Sequence, residues 1–268
     1  MDGTVGDRYE VGAVIGRGRS AVYRGRDRRL GREVALKRVV LDGGPGGDDL
    51  RARTLREARA TARLASPHVV GVYDVVEEPD AIWLVMELVR APSLRQMVDE
   101  RGPLDDVTAA RVGLGVLAGL VVAHAAGIVH RDVKPANVLV GPGPAVTLAD
   151  FGVASWSDDS CSDDAGQTLP GMVIGSPSYM APEQAAGGAV GPAADLWGLG
   201  AVLYFVQEGE APFTGTTAMA AALAVVHDEP RPQRRPGRLG PLIGLLLAKD
   251  PGRRPPPARV RAELAAVA

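Results

Sequence analysis

The sequence predicts an α+β protein, in which a strand-rich first third precedes a mainly helical remainder. Three observations carry that reading. Between Tyr9 and Leu88, short apolar and β-branched runs recur with turn residues between them, interrupted once by a helical pattern. From Ser93 onward the apolar runs lengthen to helix size. Between the long runs sit two three-residue apolar stretches, Val138–Val140 and Val146–Leu148, flanking the turn Gly141-Pro142-Gly143-Pro144, which reads as a hairpin.

Bulk properties narrow the class. The chain has 268 residues, 46% apolar and 23% charged, enough for one large domain or two lobes around a cleft. A net charge of −2 gives no reason to expect nucleic acid as a partner. A single cysteine forbids an intrachain disulfide and suits a reducing cytoplasm. No apolar run reads as long enough to span a bilayer, and no signal peptide precedes the first strand, so a cytoplasmic location is expected.

The elements follow in order. Tyr9-Glu10-Val11 opens the first strand, and Val14-Ile15 leads into Gly16-Arg17-Gly18-Arg19-Ser20. Ala21-Val22-Tyr23-Arg24 forms the second strand and Val34-Ala35-Leu36-Lys37 the third. After the Gly43–Gly47 loop, a helix is expected over about Asp49 to Leu64. Val69–Val76 and Ala81–Leu88 complete five strands, joined by the Glu77–Asp80 turn. Ser93–Glu100 is a short helix, and Val107–Ala126 a long apolar one ending at Gly127, a good terminator because glycine accepts positive φ. Asp195 opens another apolar helix. A helix from about Leu239 to Ala248 and a final amphipathic helix close the chain.

Chemistry concentrates between His130 and Gly152, in H-R-D-V-K-P-A-N-V-L-V and V-T-L-A-D-F-G. The hairpin should bring Asn137 and Asp150 together at its base. An amide oxygen and a carboxylate there make a hard, oxygen-rich pair suited to Mg²⁺ carrying nucleotide phosphates. Asp132 is then left to orient a substrate hydroxyl and accept its proton. Upstream, two glycines one residue apart let a backbone turn approach phosphates, although a plain β-turn looks the same. A lysine ending a strand, as Lys37 does, is normally just a solvated edge, whereas one facing a cleft would need an acid partner. Glu57 can supply that partner, with Arg53 four residues earlier competing for the same carboxylate.

Taken together, H-R-D-x-K-P-x-N, D-F-G, the glycine loop, V-A-L-K, A-P-E (Ala181–Glu183), D-x-W-x-x-G (Asp195–Gly200) and the late Arg254 resemble the eukaryotic-like Ser/Thr protein kinases of bacteria. The resemblance runs from Tyr9 to the last helix. It implies a bilobal protein kinase-like fold over 1–268: a five-stranded antiparallel N-lobe with one helix at about 9–88, and a mainly helical C-lobe at about 90–268. It implies ATP and Mg²⁺ as cofactors and transfer of the γ-phosphoryl group to protein serine or threonine hydroxyls. Lys134 two residues after Asp132 resembles the Ser/Thr rather than the tyrosine pattern.

By the same resemblance, Lys37 would hold the α/β-phosphates with Glu57 behind it, Lys134 the γ-phosphate, and Asn137 and Asp150 the metal. Ile15, Gly16, Arg17, Gly18, Arg19, Ser20, Ala21, Val22 and Tyr23 would cover the nucleotide. Ala35 and Leu139 would flank it. Glu87 and Val89 would meet the adenine edge at the hinge, with Met86 as gatekeeper, although Met86 is also read simply as core. His130 is a support for the loop. Glu183 and Arg254 resemble a pair that ties the substrate-docking loop to the last helices. Ala21 stands where the pattern has a third glycine, and Ser176 where threonine is more usual.

A pseudokinase scaffold would lack one of the lysine, aspartate or metal positions, and an aminoglycoside-kinase-like enzyme would lack the docking loop and A-P-E. The expected partners are Ser/Thr-bearing proteins and a second copy of the chain for autophosphorylation. Thr168 is the expected main phosphosite, with Arg131 as its receiver and Ser160, Ser162 and Ser178 secondary or silent. The acidic run from Ser155 to Gln167 reads as a solvated loop, and Cys161 within it as an unremarkable thiol. Arg231, Arg234, Arg235 and Arg238 read as a solvated connector, and His68 and His124 show no ligand spacing.

Overall fold

Antiparallel pairing of short, β-branched runs builds the first part of the chain. The computed structural model describes residues 3–16, 20–41, 47–142, 145–151, 177–235 and 237–268. These divide into two units, one running to Arg90 and the other taking Ala91–Phe151 and the described residues from Pro177 onward.

The first unit holds β1 (Thr4–Val5), β2 (Tyr9–Gly16), β3 (Val22–Asp27), β4 (Arg32–Val40), helix α1 (Gly47–Thr61), β5 (Val72–Glu78) and β6 (Ala81–Glu87). The sheet is antiparallel throughout, in the order β1-β2-β3-β4-β6-β5. It has six strands where the sequence predicts five. The added β1 is two residues long and pairs with Tyr9 and Glu10, too short for any periodicity to announce it. β5 begins at Val72 rather than Val69, and α1 both starts and ends earlier than predicted, with Asp48 and Asp49 in its first turn where the helix dipole favours them.

Alternation along β4 sorts the core. Val34 and Leu36 join Val5, Tyr9, Ala81, Trp83 and Val85 on one face, with Tyr23 packed against them. Ala35 and Lys37 therefore face the other way. A half-buried ion pair pins the start of the sheet: Arg8 donates Nε and Nη2 to Asp27 at 3.0 and 2.6 Å, and the Tyr9 hydroxyl donates to Asp74 at 2.6 Å.

The second unit comprises α2 (Leu94–Arg101), α3 (Asp106–Ala125), a 3₁₀ turn at Pro135–Asn137, β7 (Val138–Val140), β8 (Val146–Leu148), a 3₁₀ turn at Pro177–Tyr179, α4 (Pro182–Ala185), α5 (Pro192–Glu208), α6 (Ala218–His227), α7 (Gly240–Leu246) and α8 (Pro257–Ala265). Ser93 and Gln96 form a reciprocal capping box at the start of α2. Gly127 follows the end of α3 at φ 75°, as its position in the sequence predicts. α4 and α6 lack the long apolar periodicity of their neighbours and were not anticipated.

One expectation needs correcting: by length and composition alone, α3 could cross a membrane. In the fold it packs against α5, α8 and β8, with Val112, Val116, Leu117 and Leu120 buried, as a core helix does. Gly115 permits its close approach to the hairpin, since a Cβ there would lie 2.5 Å from Val146 Cβ. The arginine connector behaves as expected, with Arg231 paired to Glu210 at 2.7 Å, and Arg234 also reaching Glu210.

Candidate active site

The hairpin does what its sequence promises. Val138 pairs with Leu148, and Ala149 N–H donates to the Asn137 carbonyl at 2.8 Å. That bond closes the base of the hairpin and places Asp150, the next residue, beside Asn137. Asp150 sits at φ 60°, a left-handed conformation that aspartate tolerates better than most residues.

Before the hairpin, the loop is held by its own side chains. Lys134 Nζ lies 2.7 Å from Asp132 Oδ2. Asn137 Nδ2 donates to the same oxygen at 3.0 Å and to the Asp132 carbonyl at 2.9 Å. Asp132 Oδ1 takes no partner among the described residues, and the side chain is 40% exposed. One carboxylate oxygen is thus fixed, while the other has no partner among the described residues.

The fit for Mg²⁺ can be tested on the same groups. Asn137 commits its amide hydrogens to Asp132, which turns its carbonyl oxygen away from that residue. With the Asp150 carboxylate this gives two hard oxygen donors. Among the described residues no group of three or more His, Cys, Asp or Glu could hold a metal. A two-donor site suits Mg²⁺, which keeps water and phosphate oxygens in its remaining positions. The residues fit.

Asp195, at the start of α5, organises the loop from beneath. Its carboxylate is 1% exposed and accepts three bonds. Oδ1 takes the Arg131 N–H at 2.8 Å, and Oδ2 takes the His130 N–H at 2.8 Å and the His124 ring Nε2 at 2.7 Å. In the sequence Asp195 is marked by the D-x-W-x-x-G motif and as the opening of a helix, but its bonds to the loop are not, and His124 shows no ligand spacing. The signal available was a carboxylate inside an otherwise apolar run, since a buried acid must have donors.

His130 supports the loop as expected. Asp132 N–H donates to its Nδ1 at 3.2 Å, so the proton sits on Nε2, which reaches the Ala149 carbonyl at 2.9 Å. Its ring lies 4.4 Å from that of Phe151. Arg131 adopts φ 65°, a strained conformation costing about 1–3 kcal/mol that persists only because its surroundings impose it. Its carbonyl accepts from Gln184 Nε2 at 2.8 Å.

Gln184 follows Glu183, whose place is fixed by Arg254. That guanidinium is fully buried and forms a fork with Glu183 at 2.6 and 2.7 Å. Its remaining donors reach the carbonyls of Ala193, Ala248 and Lys249, so all five N–H groups are used. The predicted pair exists and is buried.

In the first unit, the face of the sheet opposite the Trp83 cluster gathers Val22, Ala35, Lys37, Leu84 and Met86. Val22 and Leu84 are the register partners of Lys37, and Met86 that of Ala35. Lys37 is only 4% exposed. A buried ammonium is costly unless it meets acceptors, which sets it apart from a solvated strand end. Met86 is buried, Ile15 is 51% exposed, and Gly16, Ser20 and Ala21 are partly buried. Tyr23 points to the opposite face, its ring 5.7 Å from that of Trp83. Glu87 N–H donates to the Gly71 carbonyl, and Val89 and, in the second unit, Leu139 are half-buried. Glu57 is half-buried on α1, which packs on β5 and β6 and is anchored there by Arg51 to Glu77 and to the carbonyls of Glu78 and Pro79. Arg17, Gly18, Arg19, Cys161, Thr168 and Ser176 lie outside the described residues.

Comparison with known proteins gives a consistent result. The profile of the family described as "Protein kinase domain" matches residues 9–263. A probable serine/threonine-protein kinase of Corynebacterium efficiens is 39% identical over 237 residues, covering 87% of this chain and 35% of that protein. Serine/threonine-protein kinase PknL of Mycobacterium tuberculosis is 42% identical over 80% of this chain and 53% of its own length. Serine/threonine-protein kinase pkn3 of Myxococcus xanthus is 37% identical over 98% of this chain and 50% of its own. The chain thus spans about a third to a half of these curated relatives.

Proposed function

The chain belongs to the protein kinase domain family, and on that premise we propose that it transfers the γ-phosphoryl group of ATP to serine or threonine hydroxyls of proteins. The observation that carries this reading is the Asp132 carboxylate, fixed through Oδ2 by Lys134 and Asn137, with Oδ1 taking no partner among the described residues. That oxygen accepts a hydrogen bond from the incoming hydroxyl, orients it, and takes its proton as the new bond forms. Lys134, beside it, draws the γ-phosphate toward the hydroxyl. Lys37 holds the α/β-phosphates, backed by Glu57. Asn137 and Asp150 provide oxygen donors for Mg²⁺, which when bound neutralises phosphate charge. Positioning and charge neutralisation supply the rate, since little covalent chemistry falls to the protein.

The names of the relatives and Lys134 of the H-R-D-x-K pattern favour serine or threonine over tyrosine as acceptor. Autophosphorylation between two copies, with Thr168 as the main site, belongs to the same proposal. An added phosphate brings about −1.5 to −2 charge, which in this reading Arg131 receives. Site mapping after incubation with Mg-ATP checks it, and an active enzyme unmodified at Thr168 removes it.

The central test is turnover with a generic protein substrate, measured beside thermal melting. Asp132→Asn and Lys37→Met are expected to lower turnover by about 10²–10⁴-fold while melting as the parent does. A Lys37→Met variant with near-parental turnover would overturn the lysine assignment.

A further inference from the structure

The peptide group joining Arg131 to Asp132 is gripped at both ends. Its N–H donates to His130 Nδ1 at 3.2 Å. Its carbonyl accepts from Gln184 Nε2 at 2.8 Å, a bond reaching 53 residues along the chain. A carbonyl can only accept, so the amide nitrogen of Gln184 must be the end that faces it. This peptide leads directly into the Asp132 Cα, and Arg131 on its other side is held at φ 65°. Turning the peptide would relax Arg131 and swing the Asp132 carboxylate away from Lys134 and Asn137. Of the two grips, the bond to His130 is the longer and lies within the loop. Gln184 is the one brought from outside it.

Gln184 is itself firmly founded. It is the residue after Glu183, which the buried Arg254 holds through two bonds, and it lies in α4 immediately after the Pro177–Tyr179 turn. We propose that Gln184 is a positioning residue for Asp132: through the Arg131 carbonyl it transmits the placement of the 177–185 segment to the catalytic carboxylate. This rests on the proposed phosphoryl transfer for its kinetic consequence, but not for its structural one. In this proposal the bond acts on the orientation of Asp132 and not on the binding of ATP or substrate. Its loss should therefore appear in kcat and leave KM alone.

The experiment uses the full chain with Gln184→Glu and Gln184→Met, which keep size and remove the donor, beside Gln184→Ala. Steady-state kinetics with Mg-ATP and a generic protein substrate are read together with hydrogen exchange at the Asp132 amide and with melting. One lost hydrogen bond predicts a kcat lower by about 5–30-fold, with both KM values within about twofold. Exchange at Asp132 should be faster, and melting close to the parent. Parental kcat and exchange in Gln184→Glu and Gln184→Met overturn the proposal, as does a change confined to the protein-substrate KM, which would make Gln184 a docking contact. If the parent transfers no phosphate, the functional reading fails, and exchange at Asp132 still decides the clamp. Should Gln184→Ala fail to fold, the two isosteric variants carry the decision.

Discussion

Asp27 shows how a single residue can be buried and still ionised. Its side chain has no exposure, yet it accepts both Arg8 donors and the backbone N–H groups of Arg29 and Leu30 at 3.0 and 3.2 Å. The Arg8 hydrogen bonds, set against the cost of burial and helped by the two backbone donors, hold its carboxyl down at about 2. An unfolded aspartate titrates at about 3.9. The folded value is the lower one, so the stabilisation is fully present above about pH 4 and is lost as pH falls toward 2. Melting temperature followed across pH 2–5 should therefore fall less steeply in Asp27→Asn than in the parent. An unchanged slope would show that other carboxylates govern acid unfolding. At this same scale, H-R-D-x-K-P-x-N and D-F-G named Asp132, Asn137 and Asp150 as candidates from sequence alone. Gln184 and His124 were invisible because their partners lie 53 and 71 residues away.

At the scale of elements, the fork between Glu183 and Arg254 joins α4 to the turn preceding α8. Removing either partner strands a charge in a site where Arg254 is fully buried and Glu183 only 13% exposed. Glu183→Ala and Arg254→Ala are each expected to cost about 3–5 kcal/mol. The double variant should cost less than the sum, because the second loss removes a charge already stranded. Denaturant titration of all four proteins measures this, and strictly additive losses would mean that the fork contributes nothing as a pair. Element boundaries show why pattern reading stops short. α5 is apolar on every side because it is buried on every side, so its existence was legible but neither its bounds nor a face could be assigned. Gly198 on this helix shows what no pattern reveals: a Cβ there would come within 2.7 Å of Val133, the neighbour of Asp132.

For the whole molecule, nucleotide binding should register as added stability. A non-hydrolysable ATP analogue with Mg²⁺ at a hundred times its dissociation constant would stabilise the folded chain by about 2.7 kcal/mol. Melting should rise by several degrees in the parent and by much less in Lys37→Met at the same concentrations. Equal shifts in both would place the nucleotide away from Lys37. The sequence by itself determined the α+β class, the strands and helices from Tyr9 onward apart from α4 and α6, and the place of the candidate site in the H-R-D and D-F-G stretches. These follow from local periodicity and from residue types at short spacing, which the chain carries directly. Only the tertiary structure decided that α3 is a core helix, that Ala35, Lys37 and Met86 share one face of the sheet, and that the strained Arg131 peptide is held by Asp195 and Gln184. Those facts depend on burial and on partners distant in sequence. A carboxylate or an amide becomes a structural anchor only once folding has removed the water that would otherwise satisfy it.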